Sequence, residues 1–159
     1  MTHIEDITEQ VVAKMNAYNL ALSPPGVEFL FGSGTKDYQN LSGLQDNEKI
    51  RVWCFPPVIT PIITEGVAPK RTVECVFNIG KYCPLDSEAI TITEKINEIY
   101  PNAEWFLRNL LAHPAIKKAG PARIESERHY LDDNLVGWNI QINLEMIQES
   151  ESICKTVSF

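Results

Sequence analysis

Residues 138–147, Trp138-Asn139-Ile140-Gln141-Ile142-Asn143-Leu144-Glu145-Met146-Ile147, decide the fold class. Trp138, Ile140, Ile142, Leu144 and Met146 alternate strictly with Asn139, Gln141, Asn143 and Glu145. A repeat of two is the strand period, because successive side chains of an extended chain leave on opposite faces. The stretch therefore predicts a strand with its apolar face on a core and its polar face toward water. Ahead of it, Asp132-Asp133-Asn134-Leu135-Val136-Gly137 supplies the Asp, Asn and Gly of a turn. Residues 123–130 read as a partner strand, so residues 122–148 predict a closing β-hairpin.

Upstream of the hairpin, residues 87–112 predict a helical layer. Asp86 or Ser87 is placed to cap a helix reaching about Tyr100, with Ile92, Ile96 and Ile99 as its apolar stripe. Pro101 suits the first turn of a second segment carrying Trp105, Phe106, Leu110 and Leu111, which His113-Pro114 ends. The expectation is a helix pair; one kinked helix is the other reading of the same residues.

Residues 1–20 predict an N-terminal helix. Ile4, Ile7, Val11, Val12 and Met15 recur at helical spacing, opposite Glu5, Asp6, Glu9, Gln10 and Lys14. Thr2 is a candidate cap, and Ser23-Pro24-Pro25-Gly26 breaks the pattern. Residues 27–82 predict strands with long loops. The runs are 27–31, 49–55 and 70–79, the last with Val73, Cys75, Phe77 and Ile79 inward. In the second, Ile50, Val52 and Cys54 share one face and Arg51, Trp53 and Phe55 the other. Pro56-Pro57 stops regular pairing. Residues 58–66, β-branched and interrupted by Pro61, predict an extended connection or a projecting hairpin. Residues 32–47 are the longest polar stretch without periodicity. The sum is an α+β fold in a single domain of residues 1–159: an antiparallel sheet, with the N-terminal helix and a helix pair packed on one face, and a C-terminal β-hairpin.

Composition narrows the function. Asp and Glu number 21 against 14 Lys and Arg, for a net charge of −7. Binding to nucleic acid rests on neutralising phosphates, so this balance predicts no specific nucleic-acid partner. The basic pairs are Lys70-Arg71 and Lys117-Lys118. No apolar run approaches the ~18 residues of a membrane span, which predicts no membrane partner. The acidic start lacks a basic n-region and an apolar h-region, so synthesis and folding in a cytoplasm are expected. The four cysteines, Cys54, Cys75, Cys83 and Cys154, form no CxxC pair and read as structural thiols.

No pattern in the sequence assembles a catalytic set. His3, His113 and His129 have no GxSxG elbow to serve. Gly32-Ser33-Gly34-Thr35-Lys36 lacks the GxxxxGK[ST] spacing of a phosphate loop. Asp132-Asp133-Asn134 would suit a hard cation, but a turn between strands demands the same residues. Glu125 and Glu127 share a strand face at i, i+2; a charged edge accounts for them without acid–base work. The expectation is a protein that is not an enzyme and holds no cofactor and no metal. What stands out is an excess of large rings, Trp53, Phe55, Tyr82, Trp105 and Tyr130, over what one small sheet face needs to bury. The interface candidates are Trp53, Phe55, Tyr82 and Tyr130, together with Asn139, Gln141 and Asn143 of the last strand's polar face.

The order of elements resembles the tail-terminator and tail-completion (neck) proteins of long-tailed bacteriophages and prophages. The matching pieces are residues 4–18, 49–55, 70–79, 87–112 and 123–147. The local match is Asp132-Asp133-Asn134-Leu135-Val136-Gly137-Trp138, which resembles an Asp-Asn-x-x-Gly-Trp connection before the last strand of some phage structural proteins. The resemblance implies a structural role in the virion, with the host cytoplasm as the place of assembly. It implies self-association into a homo-oligomeric ring, commonly a hexamer, and contact with other phage tail or neck proteins. Such a ring needs a heterologous, closing interface. Residues 32–47 and 56–69, longer than a minimal member needs, would then reach the ring lumen or the next ring. The alternative is a non-phage bacterial protein-interaction module, or a small-ligand binder using residues 32–47 or the Asp132-Asp133 turn.

Overall fold

The computed structural model describes residues 3–22, 27–31, 50–62, 70–84, 86–128 and 135–146. Thr2, residues 32–47, His129, Tyr130, the Asp132-Asp133-Asn134 turn and Cys154 lie outside the described residues. In chain order the elements are α1 (Ile4–Leu22), β1 (Val27–Phe31), β2 (Ile50–Cys54), β3 (Val58–Ile62), β4 (Lys70–Tyr82), α2 (Ala89–Leu111), β5 (Ile116–Ala119), β6 (Arg123–Arg128) and β7 (Leu135–Met146). The architecture is α+β, with both helices on one face of a sheet.

The sheet has a spine. β4 and β7 pair antiparallel over their whole common length, from Arg71 opposite Met146 to Tyr82 opposite Leu135. The alternating stretch Trp138–Met146 is thus an inner strand of the sheet. Each side of the spine is flanked by a strand made of two pieces. β2 and then β3 run along β4, and β5 and then β6 run along β7. β6 pairs with β7 from Arg123 opposite Gln141 to Arg128 opposite Val136, which is the predicted closing hairpin. β1 adds outside β2 in parallel, Val27 opposite Ile50. Residues 32–49 between them are long enough for the crossover that a parallel neighbour requires. The sheet is therefore not wholly antiparallel.

Both flanking strands break at the same level. Phe55 still donates to the Val76 carbonyl (3.0 Å), while Val58 lies opposite Glu74. Pro56 and Pro57 together oppose Cys75, which is a one-residue bulge. On the other flank Gly120 donates to Asn143 (2.9 Å) and Arg123 lies opposite Gln141. Pro121 and Ala122 together oppose Ile142. Cys75 and Ile142 are cross-strand partners, so the two bulges fall on one row across the sheet. Below that row β3 pairs β4 from Val58 to Ile62, which gives the predicted projecting hairpin its strand.

The helical layer differs from the expected pair. A single helix, α2, passes through Pro101. Its buried residues, Ile92, Ile96, Ile99, Ala103, Phe106 and Leu110, keep one stripe of four- and three-residue steps on both sides of the proline. Burying that stripe offsets the ~3 kcal/mol that an interior proline costs. Of the four residues expected to carry the second segment, Phe106 and Leu110 lie in the stripe, whereas Trp105 is half-buried and Leu111 exposed. Neither Asp86 nor Ser87 caps the helix. The N-cap is Glu88, in extended backbone, with no side-chain cap hydrogen bond.

One core joins the layers. Ile4, Ile7, Val11, Val12 and Met15 of α1 and the lower α2 stripe pack on Ile50, Val52, Cys54, Val73, Cys75, Phe77, Ile79, Ile140, Ile142 and Leu144. Phe77 and Phe106 meet edge to face at 5.0 Å, a geometry that aromatic quadrupoles favour. α1 starts with its own tether, as the His3 N–H donates to Asp6 Oδ2 (3.3 Å). Buried Thr8 satisfies its hydroxyl on the Ile4 carbonyl (2.7 Å). A smaller cluster of Cys83, Ile92, Ile96 and Val136 closes the other end. There the Trp138 indole N–H donates to the Ile96 carbonyl (2.8 Å) and buried Lys81 pairs with Glu98 (3.1 Å).

Cys54, Cys75 and Cys83 are buried. Burial pushes the thiols of Cys54 and Cys75 up to about 12. At neutral pH both are therefore protonated core groups, as the structural-thiol reading expects.

Candidate functional site

Strand parity decides which side chains share the sheet face opposite the helices. Val73, Cys75, Phe77 and Ile79 of β4 point to the helices, so Thr72, Glu74, Val76, Asn78, Gly80 and Tyr82 point outward. Cross-strand register then builds three outer rows. Arg51, Gly80, Gly137 and Glu127 form the first. Trp53, Asn78, Asn139 and Glu125 form the second. Phe55, Val76, Gln141 and Arg123 form the third.

The described interface candidates therefore gather on this one face, but they do not all offer surface. Trp53 is only 2% exposed and stacks on Phe55 with ring centroids 4.9 Å apart. Asn139, expected on a wet face, is 9% exposed. Its amide donates to Asn78 Oδ1 (2.6 Å) and its Oδ1 accepts from Gln141 Nε2 (2.9 Å). A buried amide needs such partners, because an unsatisfied one costs about 1–3 kcal/mol. Asn139 is thus part of a polar ladder that locks β4 to β7. Phe55 and Tyr82 are half-buried, and Gln141 and Asn143 are exposed. Tyr130 falls outside the described residues.

The carboxylate pair shares the outer face as its i, i+2 spacing predicts. Glu125 is held by Arg123, whose Nε donates to its Oε1 (2.9 Å). Burial, and then the charge of Glu125, push the Glu127 carboxyl above its ordinary value. Arg51, which sequence reading placed on a partly covered face without singling out, is buried on the same row as Glu127. Two glycines lie between them in the register. His113 is a joint between helices: its Nε2 meets Gln10 Oε1 (3.0 Å) and its Nδ1 accepts from the Ala115 N–H (3.2 Å). Among the described residues no three His, Cys, Asp or Glu side chains come together as a metal site. No described helix is long and apolar enough to cross a membrane.

The surface that stands apart is β3. All five of its residues are exposed. Val58, Ile59 and Ile62 expose 59%, 47% and 50% of their area. It pairs with β4 on one side, and no other described strand lies beside it. Natural sheets blunt such edges with charge. β6 does so, with Arg123, Glu125, Glu127 and Arg128, and β5 carries Lys117 and Lys118. β3, Val-Ile-Thr-Pro-Ile, has no charge at all. The signal was present in the sequence as an apolar, β-branched run, but only the pairing shows that it buries neither face.

Comparison with protein-family models matches none, and comparison with curated proteins finds no significant relative.

Proposed function

We propose that this chain is a structural assembly protein of the tail or head–tail neck of a phage particle, acting by self-association into a ring and by contact with neighbouring proteins. It performs no catalysis in this reading. The observation that carries the assembly part is β3: an uncharged edge strand whose large aliphatic side chains stay in water on both faces. Single exposed aliphatics are ordinary, but three on one open edge give a surface that association would bury. The phage assignment draws on the order of elements and on the Asp-Asn-x-x-Gly-Trp stretch, which resemble tail-terminator and neck proteins. The net charge of −7 fits a particle component past which DNA moves, since like charge prevents sticking.

The test is mass in solution. Sedimentation velocity or light scattering over a hundredfold concentration range is expected to show a discrete closed oligomer. A strict monomer at high concentration would overturn the assembly reading.

A further inference from the structure

We infer that copies join head to tail through their sheets, the β3 edge of one copy pairing with the β5 edge of the next. This rests on the assembly reading above and names the surfaces it would use. β3 and β5 are the two ends of one four-strand row, β3–β4–β7–β5. In register, Thr60 lies opposite Thr72, Thr72 opposite Glu145, and Glu145 opposite Lys118. Each neighbouring pair in that row is antiparallel. β3 and β5 therefore run in opposite directions, and a second copy shifted sideways in the same orientation brings β5 against β3 antiparallel. The alternation of the sheet continues unbroken from copy to copy. An interface between two different patches is also the heterologous kind that a ring requires.

The backbone groups of each edge fix the register of this pairing. In an antiparallel ladder alternate residues turn their N–H and C=O to one neighbour. Phe55 bonds Val76, and the bulge passes the inward role to Val58, Thr60 and Ile62. Ile59 and Pro61 face outward. Proline has no N–H, so this edge offers one donor and two carbonyls. On β5, Gly120 bonds Asn143 and Lys118 lies opposite Glu145, so Ala119 faces outward. The register shifts between Ile116 and Lys118, so Ala119 is the β5 residue that the alternation places on the outer edge. With Ile59 opposite Ala119, the two residues exchange a pair of hydrogen bonds. The register also seats the exposed Ile59 beside Ala119 on the helix side and leaves Thr60 beside Lys118 on the outer side. Lys117 pairs with Glu145 of its own β7 (3.6 Å).

The test is a cysteine pair, Thr60→Cys with Lys118→Cys, in a Cys154→Ser background. Both positions are exposed. Within one chain they stand at opposite ends of the row, about 14 Å apart at three strand spacings, beyond disulfide reach. Mild oxidation is expected to give a reducible ladder of covalent multimers from the double variant and no crosslink from either single variant. Ile59→Lys is expected to weaken association at least ~10-fold with an unchanged circular dichroism spectrum. Dimers from Thr60→Cys alone would mean β3 pairs with β3 and would overturn the inference. So would an oligomer that gives no crosslink in the double variant, although the assembly reading would stand. A monomer would overturn both.

Discussion

Replacing Gly137 by alanine is expected to cost roughly 3–5 kcal/mol of stability, from lost ladder hydrogen bonds and overpacking. Gly137 sits opposite Gly80 on the β4–β7 spine. A Cβ on it would lie 1.9 Å from the Ile79 carbonyl oxygen and 2.7 Å from the Gly80 Cα. Both are backbone atoms of the paired strand, so no side-chain rotation relieves the clash. The strands would have to part by about 1.5 Å to bring the oxygen out to 3.4 Å, the edge of ordinary contact. Strands pair at about 4.7–4.9 Å, so that retreat removes the local ladder bonds. Two such bonds are worth about 1 kcal/mol each, and forced overpacking adds about 1–3 kcal/mol. Gly120 is the internal control: its Cβ would meet nothing closer than the Asn143 carbonyl oxygen at 3.7 Å. Gly120→Ala is expected to change stability by no more than about 0.5 kcal/mol. Urea unfolding followed by circular dichroism, with the m-value held constant, measures both. A Gly137→Ala midpoint indistinguishable from that of the parent would refute the close-approach argument.

Phe106→Ala removes a fully buried ring from its edge-to-face contact with Phe77 and is expected to cost about 3–5 kcal/mol, lowering the calorimetric Tm by roughly 10 °C. Glu127 has a raised folded-state pKa, so its protonated form is favoured by folding. Its contribution is fully present below the ordinary carboxylate value and is lost as pH rises through the higher folded value. Glu127→Gln is therefore expected to stabilise the protein at neutral pH and to flatten the stability–pH curve just above the ordinary carboxylate range, as read by unfolding midpoints from pH 4 to 8. Cys54 and Cys75, with thiols held up near 12, are expected to resist a thiol-specific reagent at pH 7 until denaturant is added; fast labelling of either in the folded state would contradict their burial.

The strand and helix types were legible because their signals are local. The alternation from Trp138 to Met146 and the stripes from Ile4 to Met15 and from Ile92 to Ile99 each repeat within a few residues. What the sequence hid was decided across the chain. Pro101 reads locally as a boundary, and only the matching stripe of Ala103, Phe106 and Leu110 against the sheet keeps the helix whole. Asn139 reads as a wet residue because its neighbours alternate. It is buried because Asn78, 61 positions earlier, stands beside it and accepts its amide. Trp53 reads locally as a ring available to a partner, and the fold buries it to 2% exposure, stacked on Phe55. Tyr82 and Phe55 lie on the expected face, half-covered.

The Pro56-Pro57 bulge ties the edge chemistry to the fold. Had β2 run straight on past Phe55, the inward-bonding residues would have stayed odd-numbered, and Pro61 would have stood where the ladder needs an N–H toward β4. Two residues opposite Cys75 shift the parity by one, so that Val58, Thr60 and Ile62 bond inward and Pro61 turns its missing donor outward. The same step makes the outer edge of β3 rich in carbonyls and poor in donors. An edge of that kind is best paired by a strand that brings its own N–H groups. The bulge at Pro121-Ala122 on the opposite flank falls on the same row and leaves β5 running free of the charged β6. One line of prolines across the sheet thus marks the level at which the uncharged β3 edge begins.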